Sequence, residues 1–236
     1  MKWSVEHGMC VRRFGDGPEL VWIHGLGESS TAFDGVATRL PGFTHVLPDL
    51  PGYSRSPWIE PIGLDALADH LARWLGERAP AALVGHSMGG VLATLIAERA
   101  PVRAIANIDG NISPGDCTFS GRALEIGFAQ LKTEVLGKPG VPATYYAAMC
   151  FASPDMFHRH ARDLVEMSAT EQLALRFAAL RVPALFIAGV PDGICAESRA
   201  LLDRAGARWV GIEDSGHWVY LDQPERFAAE VAAFLR

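Results

Sequence analysis

Residues 81–97, AALVGHSMGGVLATLIA, constrain the fold of this chain more than any other stretch. The apolar run Ala81 to Val84 stops at Gly85, and apolar residues then recur at Met88, Val91, Leu92, Leu95 and Ile96, a helical spacing. The segment reads as a strand, a sharp turn and a helix, with Ser87 at the apex. The glycines on either side have a steric reason. In so tight a turn, neighbouring backbone comes within contact distance of the positions two before and two after the serine, so a Cβ at Gly85 or Gly89 would clash. The apex residue is forced into a sparsely populated backbone conformation, which lifts its hydroxyl clear of the sheet. Met88 then opens the helix, where its N–H has no intrahelical partner and can face an anion. A glycine-rich β–α turn whose serine merely caps the helix has the same five letters, so the rest of the chain must decide between the two.

Elsewhere in the first half, strands and helices alternate. Residues 2–14 predict two short strands around Gly8. Leu20 to Ile23 and His45 to Leu47 predict buried strands, the first followed by a helix near Thr31 that Ser29 or Ser30 can cap. Residues 63–79 predict a helix with Leu64, Leu67, Ala68, Leu71, Trp74 and Leu75 on one face. Val102 to Ile108 is another strand. Alternation of this kind implies a mostly parallel sheet with helices on both faces, and in such sheets chemistry gathers at the carboxyl ends of the strands. His24, Asp49, Ser87 and Asp109 all fall at those ends.

Residues 113–178 break the rhythm. They predict helices over roughly 121–136, 142–151, 154–167 and 170–180, and they carry exposed-looking apolar side chains from Phe119 to Phe157. They are expected to form a helical cap over a core made of 1–112 and 179–236. Alternation resumes with a strand over Ala184 to Ala188, a turn through Gly189 to Asp192, a helix near 196–205 and a strand from Arg208 to Ile212. The last helix is expected to begin at Asp222, with Glu225 completing a capping box.

Composition narrows the partners. The chain has 236 residues, 49% of them apolar and 20% charged, as expected of one globular domain with a sizeable core. A net charge of −6 with no basic patch argues against nucleic acid or an anionic membrane as partner. No apolar run approaches the length of a membrane span, and Met1 to His7 lack the apolar core of a secretory signal. Cys10, Cys117, Cys150 and Cys195 form no C-x-x-C pair, so a metal site and a disulfide framework are not expected, and free thiols fit a cytoplasmic protein.

A serine hydroxyl is a poor nucleophile until a base takes its proton, and a histidine base needs a carboxylate to fix its tautomer and stabilise its cation. Asp192 follows a later strand and His217 follows the last one, so both are expected at the sheet end that carries Ser87. His24, His86 and Asp49 are expected to support loops, Glu28 to be a solvated loop residue or else to rim the pocket, His158 and His160 to be solvated on the cap, and Cys195 to be packing.

Five segments together resemble the α/β-hydrolase fold superfamily: His24-Gly25-Leu26-Gly27, Asp49 to Ser56 with Ser54 where that family has glycine, Gly85 to Gly90, Gly189 to Asp192, and Gly216-His217 with the trailing Gln223-Pro224-Glu225. The resemblance implies a mostly parallel eight-stranded sheet flanked by helices, with the helical cap inserted after the sixth strand. It implies Ser87 as nucleophile, His217 as base and acid, and Asp192 as the orienting carboxylate. It also implies the backbone N–H groups of Leu26 and Met88 as oxyanion donors. Some members of the family take the acid from the strand after the elbow, where this chain has Asp109, so two carboxylates compete. The implied activity is a cofactor-free, metal-free serine esterase acting on a small, mostly apolar ester, lactone or thioester, as monomer or homodimer. Carbon–carbon bond hydrolysis and perhydrolysis use the same residues, and a ligand receptor with an idle triad is the reading from a different class.

Overall fold

A computed structural model describes residues 1–57, 60 and 62–236. Eight strands, β1 (Lys2–Glu6), β2 (Met9–Phe14), β3 (Glu19–Ile23), β4 (Thr44–Pro48), β5 (Ala82–His86), β6 (Ala104–Ile108), β7 (Ala184–Asp192) and β8 (Trp209–Gly216), form one sheet in the order β1-β2-β4-β3-β5-β6-β7-β8. Only β2 runs antiparallel to its neighbours. From β4 to β8 every pairing is parallel, so these strands present their carboxyl ends at one edge.

The helices are α1 (Asp34–Ala37), α2 (Leu64–Gly76), α3 (Met88–Ala97), α4 (Thr118–Ile126), α5 (Phe128–Val135), α6 (Ala143–Met149), α7 (Pro154–Ser168), α8 (Gln172–Ala178), α9 (Ala196–Ala205), α10 (Val219–Asp222) and α11 (Pro224–Leu235). The period-2 alternation of the strands divides the core. Val21, Ile23, Leu83, Ile105 and Phe186 pack with α2 and α3, while Leu20, Trp22, Val84, Ala106 and Ile187 pack with α1, α10 and α11. Helices α4 to α7 lie between β6 and β7 in sequence. Their Tyr145, Met149, Met156, Phe157 and Leu164 are buried in the same apolar cluster as α2 and α3, so most of these apolar side chains are core, and Phe151 is the one left 73% exposed. No helix of the described residues is long and apolar enough to cross a membrane.

Local chemistry departs from the sequence expectation in four places. The single helix expected over 121–136 is two, because Gly127 takes φ +76° between them, outside the helical region. Neither Ser29 nor Ser30 caps a helix with its side chain: the Ser30 N–H goes to Asp49 and the Ser30 hydroxyl meets Arg12 and Arg55. The last helix starts at Pro224 and not at Asp222, whose carboxylate instead accepts the Gly216 N–H, and Glu225 pairs with Arg39. Finally, β7 runs straight through Gly189 to Asp192, where a turn was expected, with a register shift against β8 between Val190 and Pro191.

The elbow glycines are sterically required. A Cβ on Gly85 would collide with the Gly89 carbonyl, and one on Gly89 would run into the carbonyl oxygens of Ile23 and His24. Backbone atoms cannot swing aside as side chains do, so Gly89→Ala is expected to cost at least about 2 kcal/mol of stability, since overpacking of a rigid site sits in the severe tail of mutational effects. Urea titration checks this; a midpoint equal to that of wild type would contradict it.

Candidate active site

Ser87 sits between β5 and α3 with φ +54° and ψ −120°, a region that non-glycine residues rarely occupy. The turn is held by the Ser87 N–H on the Ile108 carbonyl and by the Gly90 N–H on the Ser87 carbonyl, both at 2.8 Å. Directly behind it, a Cβ on Gly90 would overlap the Asn107 side chain. The serine therefore lines a cavity of about 580 Å³ together with residues from the carboxyl edge of the sheet and from the helical segment between β6 and β7.

The loop after β3 forms one wall. His24 is fully buried and holds the loop's shape: its Nε2 accepts the Leu50 N–H at 3.0 Å and its Nδ1–H faces the Gly25 carbonyl at 2.9 Å. That fixes a neutral tautomer, and burial keeps its pKa low. Asp49 braces the loop from the other side, accepting the Ser30 N–H at 2.8 Å and the Arg55 guanidinium at 2.5 and 3.0 Å. Between them Ser54 takes φ +49°, the left-handed region that favours glycine. Among the described residues the N–H groups of Leu26 and Met88 have no hydrogen-bond acceptor; Leu26 lines the cavity and Met88 directly follows Ser87 at the start of α3. The Leu26 carbonyl accepts the Tyr145 hydroxyl of α6 at 3.0 Å.

His217 follows β8 and keeps 37% of its side chain open to the cavity. The carboxylate nearest it is Asp109, whose Oδ2 lies 3.8 Å from Nδ1. Asp109 is 1% exposed, takes φ +45°, and accepts the N–H groups of Gly189 and Ile194. A Cβ at Gly193 would meet this carboxylate and the Gly189 backbone, which accounts for the glycine there. Burial pushes Asp109 up to about 8, against the pull of His86 and the backbone donors. Loss of water and the neighbouring His86 hold His217 low. A buried carboxylate gains most from a cation beside it, so an imidazolium formed at His217 and an ionised Asp109 favour each other.

Asp192 is placed differently. It is exposed at the cavity rim, lies in the β7–β8 ladder opposite Gly216, and its side chain makes no hydrogen bond or ion pair among the described residues. Ser87, His217 and Asp109 thus gather at one cavity, with Asp192 at its mouth. No hydrogen bond joins the Ser87 hydroxyl to His217 among the described residues; such contacts tighten with substrate bound.

Two residues behave unlike their sequence expectation. Glu28 is 2% exposed, not solvated. It accepts the Gly25 N–H at 2.6 Å, His86 Nδ1–H at 3.0 Å, the Trp218 indole at 2.8 Å and the Tyr220 hydroxyl at 3.2 Å. Burial pushes its carboxyl up, but His86, with the Gly25 N–H and His24, outweighs that and holds it down to about 2. His160 is buried on α7, between the Tyr53 hydroxyl at 2.8 Å and the Ile62 carbonyl at 3.0 Å, and so ties α7 to the segment after β4. Residues 156, 157, 160, 161 and 164 share one helical face, and that face, not the polarity of histidine, decided its burial. Cys195 lines the same cavity; its Sγ lies 3.5 Å from the Ser113 hydroxyl and accepts the Ser198 N–H at the start of α9. Among the described residues no group of three His, Cys, Asp or Glu side chains is arranged to hold a metal ion.

Residues 20–230 match the alpha/beta hydrolase family. The chain is 31% identical over 254 residues to polyketide synthase ThaQ of Burkholderia thailandensis, a match spanning 95% of this chain and 12% of that protein. It is 36% identical over 109 residues to pimeloyl-[acyl-carrier protein] methyl ester esterase of Aeromonas salmonicida, covering 45% of this chain and 42% of the esterase. The matches span less than half the length of the first curated relatives. In three dimensions it resembles a hydrolase from Pseudomonas aeruginosa PA01, with a TM-score of 0.82 and 19% identity over 99% of this chain and 97% of the other, a likeness of fold.

Proposed function

The chain belongs to the alpha/beta hydrolase family, and from that premise we propose that it is a serine hydrolase cleaving a small, mostly apolar ester, lactone or thioester through an acyl-enzyme on Ser87. The observation that carries this reading is the meeting of Ser87, His217 and Asp109 at one cavity that Leu26 also lines, with Met88 directly after the serine at the start of α3. Ser87 attacks the substrate carbonyl as its proton passes to the His217 nitrogen away from Asp109. The new oxyanion lies against the N–H groups of Leu26 and Met88, which are pre-oriented by the loop and the helix start. Asp109 stabilises the imidazolium. His217 then returns the proton to the leaving alkoxide or thiolate, and water releases the acyl group by the same route reversed.

The walls support this substrate class in part. Phe119, Val135, Val141, Leu164 and Ile194 line the cavity alongside charged residues such as Asp116 and Lys138, and the apolar part of that lining suits an uncharged acyl chain or ring. The methyl ester esterase relative supports an ester as substrate. The protein is proposed to act on this small molecule in the cytoplasm, without metal or cofactor, as monomer or homodimer.

The test is covalent labelling with a fluorophosphonate, the labelled peptide being located by mass spectrometry, together with turnover of p-nitrophenyl esters of graded acyl length. Labelling at Ser87 and turnover of short to medium chains are expected. Neither labelling nor turnover would overturn the reading.

A further inference from the structure

The buried Glu28 carboxylate touches three separate parts of the site at once. It accepts the Gly25 N–H in the loop that carries Leu26, the His86 Nδ1–H immediately before the nucleophile, and the Trp218 and Tyr220 donors in the segment after His217. His86 is 1% exposed, and its other nitrogen lies 2.8 Å from the His217 backbone carbonyl. Both ring nitrogens of His86 therefore face acceptors, a carboxylate oxygen and a carbonyl oxygen. Each must carry a hydrogen, which makes His86 an imidazolium and the couple a buried ion pair. Its ring centroid is 4.6 Å from that of His217.

We propose that the Glu28–His86 pair is a positioning device for the reaction assigned above: it sets the oxyanion loop and the His217 segment relative to Ser87. The inference rests on the serine hydrolase reading. Neither residue is placed against the reacting atoms. His86 acts on His217 through the main chain, at the carbonyl of the residue whose ring does the proton transfer. Glu28 neutralises the cation so placed, which would otherwise oppose the charging of His217. Breaking such a pair from one side leaves an uncompensated buried charge, so the two residues are energetically one unit.

The carboxylate receives four donors and presents only acceptors. In Glu28→Gln, an amide N–H₂ must face some of those donors, so at least one bond is lost with almost no change in size. This variant is expected to lower kcat for p-nitrophenyl acetate about 10- to 100-fold, the usual loss for an outer partner that orients a reactive histidine or ligand, with KM within about threefold. Fluorophosphonate labelling should slow in parallel. Glu28→Gln/His86→Gln should be no slower than the worse single variant, because each removes the same unit. In His86→Gln, Glu28 keeps its remaining donors and stays ionised. The charged groups acting on His217 are then Asp109, directly after β6, and Glu28 from the β3 loop, both acidic, while Asp192 stays at the cavity rim, and the acid limb of kcat/KM should move to higher pH.

Thermal melts on each variant separate loss of folded protein from loss of rate. If Glu28→Gln does not fold, Tyr220→Phe, which deletes one donor to the same carboxylate, should lower kcat about threefold with KM unchanged. A kcat for Glu28→Gln within twofold of wild type, additive losses in the double variant, or a rate that falls only as far as the folded fraction would each overturn the proposal while leaving the hydrolase reading intact. Wild type that is neither labelled nor active sinks that reading, and this one with it.

Discussion

Ser87→Ala is expected to reduce kcat on p-nitrophenyl esters by about four to six orders of magnitude, the range seen when a triad nucleophile is removed. KM should change little, because the cavity walls and the Leu26 and Met88 N–H groups are untouched. Alanine keeps the Cβ, so the backbone at φ +54° meets the same steric situation and the melting temperature should stay close to that of wild type. The small residual rate expected is that of water attacking a substrate still held against the oxyanion donors. Steady-state kinetics, with fluorophosphonate labelling as the second readout, checks the result. A variant that retains more than a hundredth of the wild-type rate would mean that the acyl group never resides on Ser87.

The second large effect separates the two carboxylates. Asp109→Asn is expected to lower kcat by about 10⁴-fold, the loss that follows when the partner of a triad histidine becomes an amide and favours the wrong tautomer. Asp192→Asn should stay within about threefold of wild type. The difference follows from position. Asp109 is buried 3.8 Å from His217 Nδ1, whereas Asp192 is exposed at the rim with no contact to the ring. Asparagine at 109 can still accept the Gly189 and Ile194 N–H groups through its amide oxygen, so folding should survive, and kcat with a melting curve for each variant decides the matter. A large loss at 192 with a small one at 109 would reverse the assignment.

The architecture was legible because apolar periodicity reports directly on burial. The strand runs, the α2 face and the glycines of the elbow all follow from geometry that a linear sequence carries. The helical insertion after the sixth strand was visible as a break in the alternation. What stayed hidden depends on contacts between distant segments. Asp109 and Asp192 both end a strand in the sequence; only the bulge at Val190 and Pro191, and the continuation of β7 to Asp192, place one inside and the other at the rim. Glu28 and His160 look like solvated polar residues because nothing local shows the four donors around one or the helical face that buries the other. The capping box at the last helix failed for a related reason: Asp222 found a nearer donor in Gly216. The one sequence signal that pointed towards Glu28 is its place four residues after His24, on a loop already required to turn sharply at the end of the sheet.

The hydroxyl of Tyr145 donates to the carbonyl of Leu26. In the proposed chemistry, the roof that chooses the substrate thereby also grips the ledge on which negative charge would build. Selectivity and speed are then not independent dials. Redesigning α6 to admit bulkier molecules would loosen the ledge, and variants with altered preference should trade away turnover unless another donor is supplied to that carbonyl.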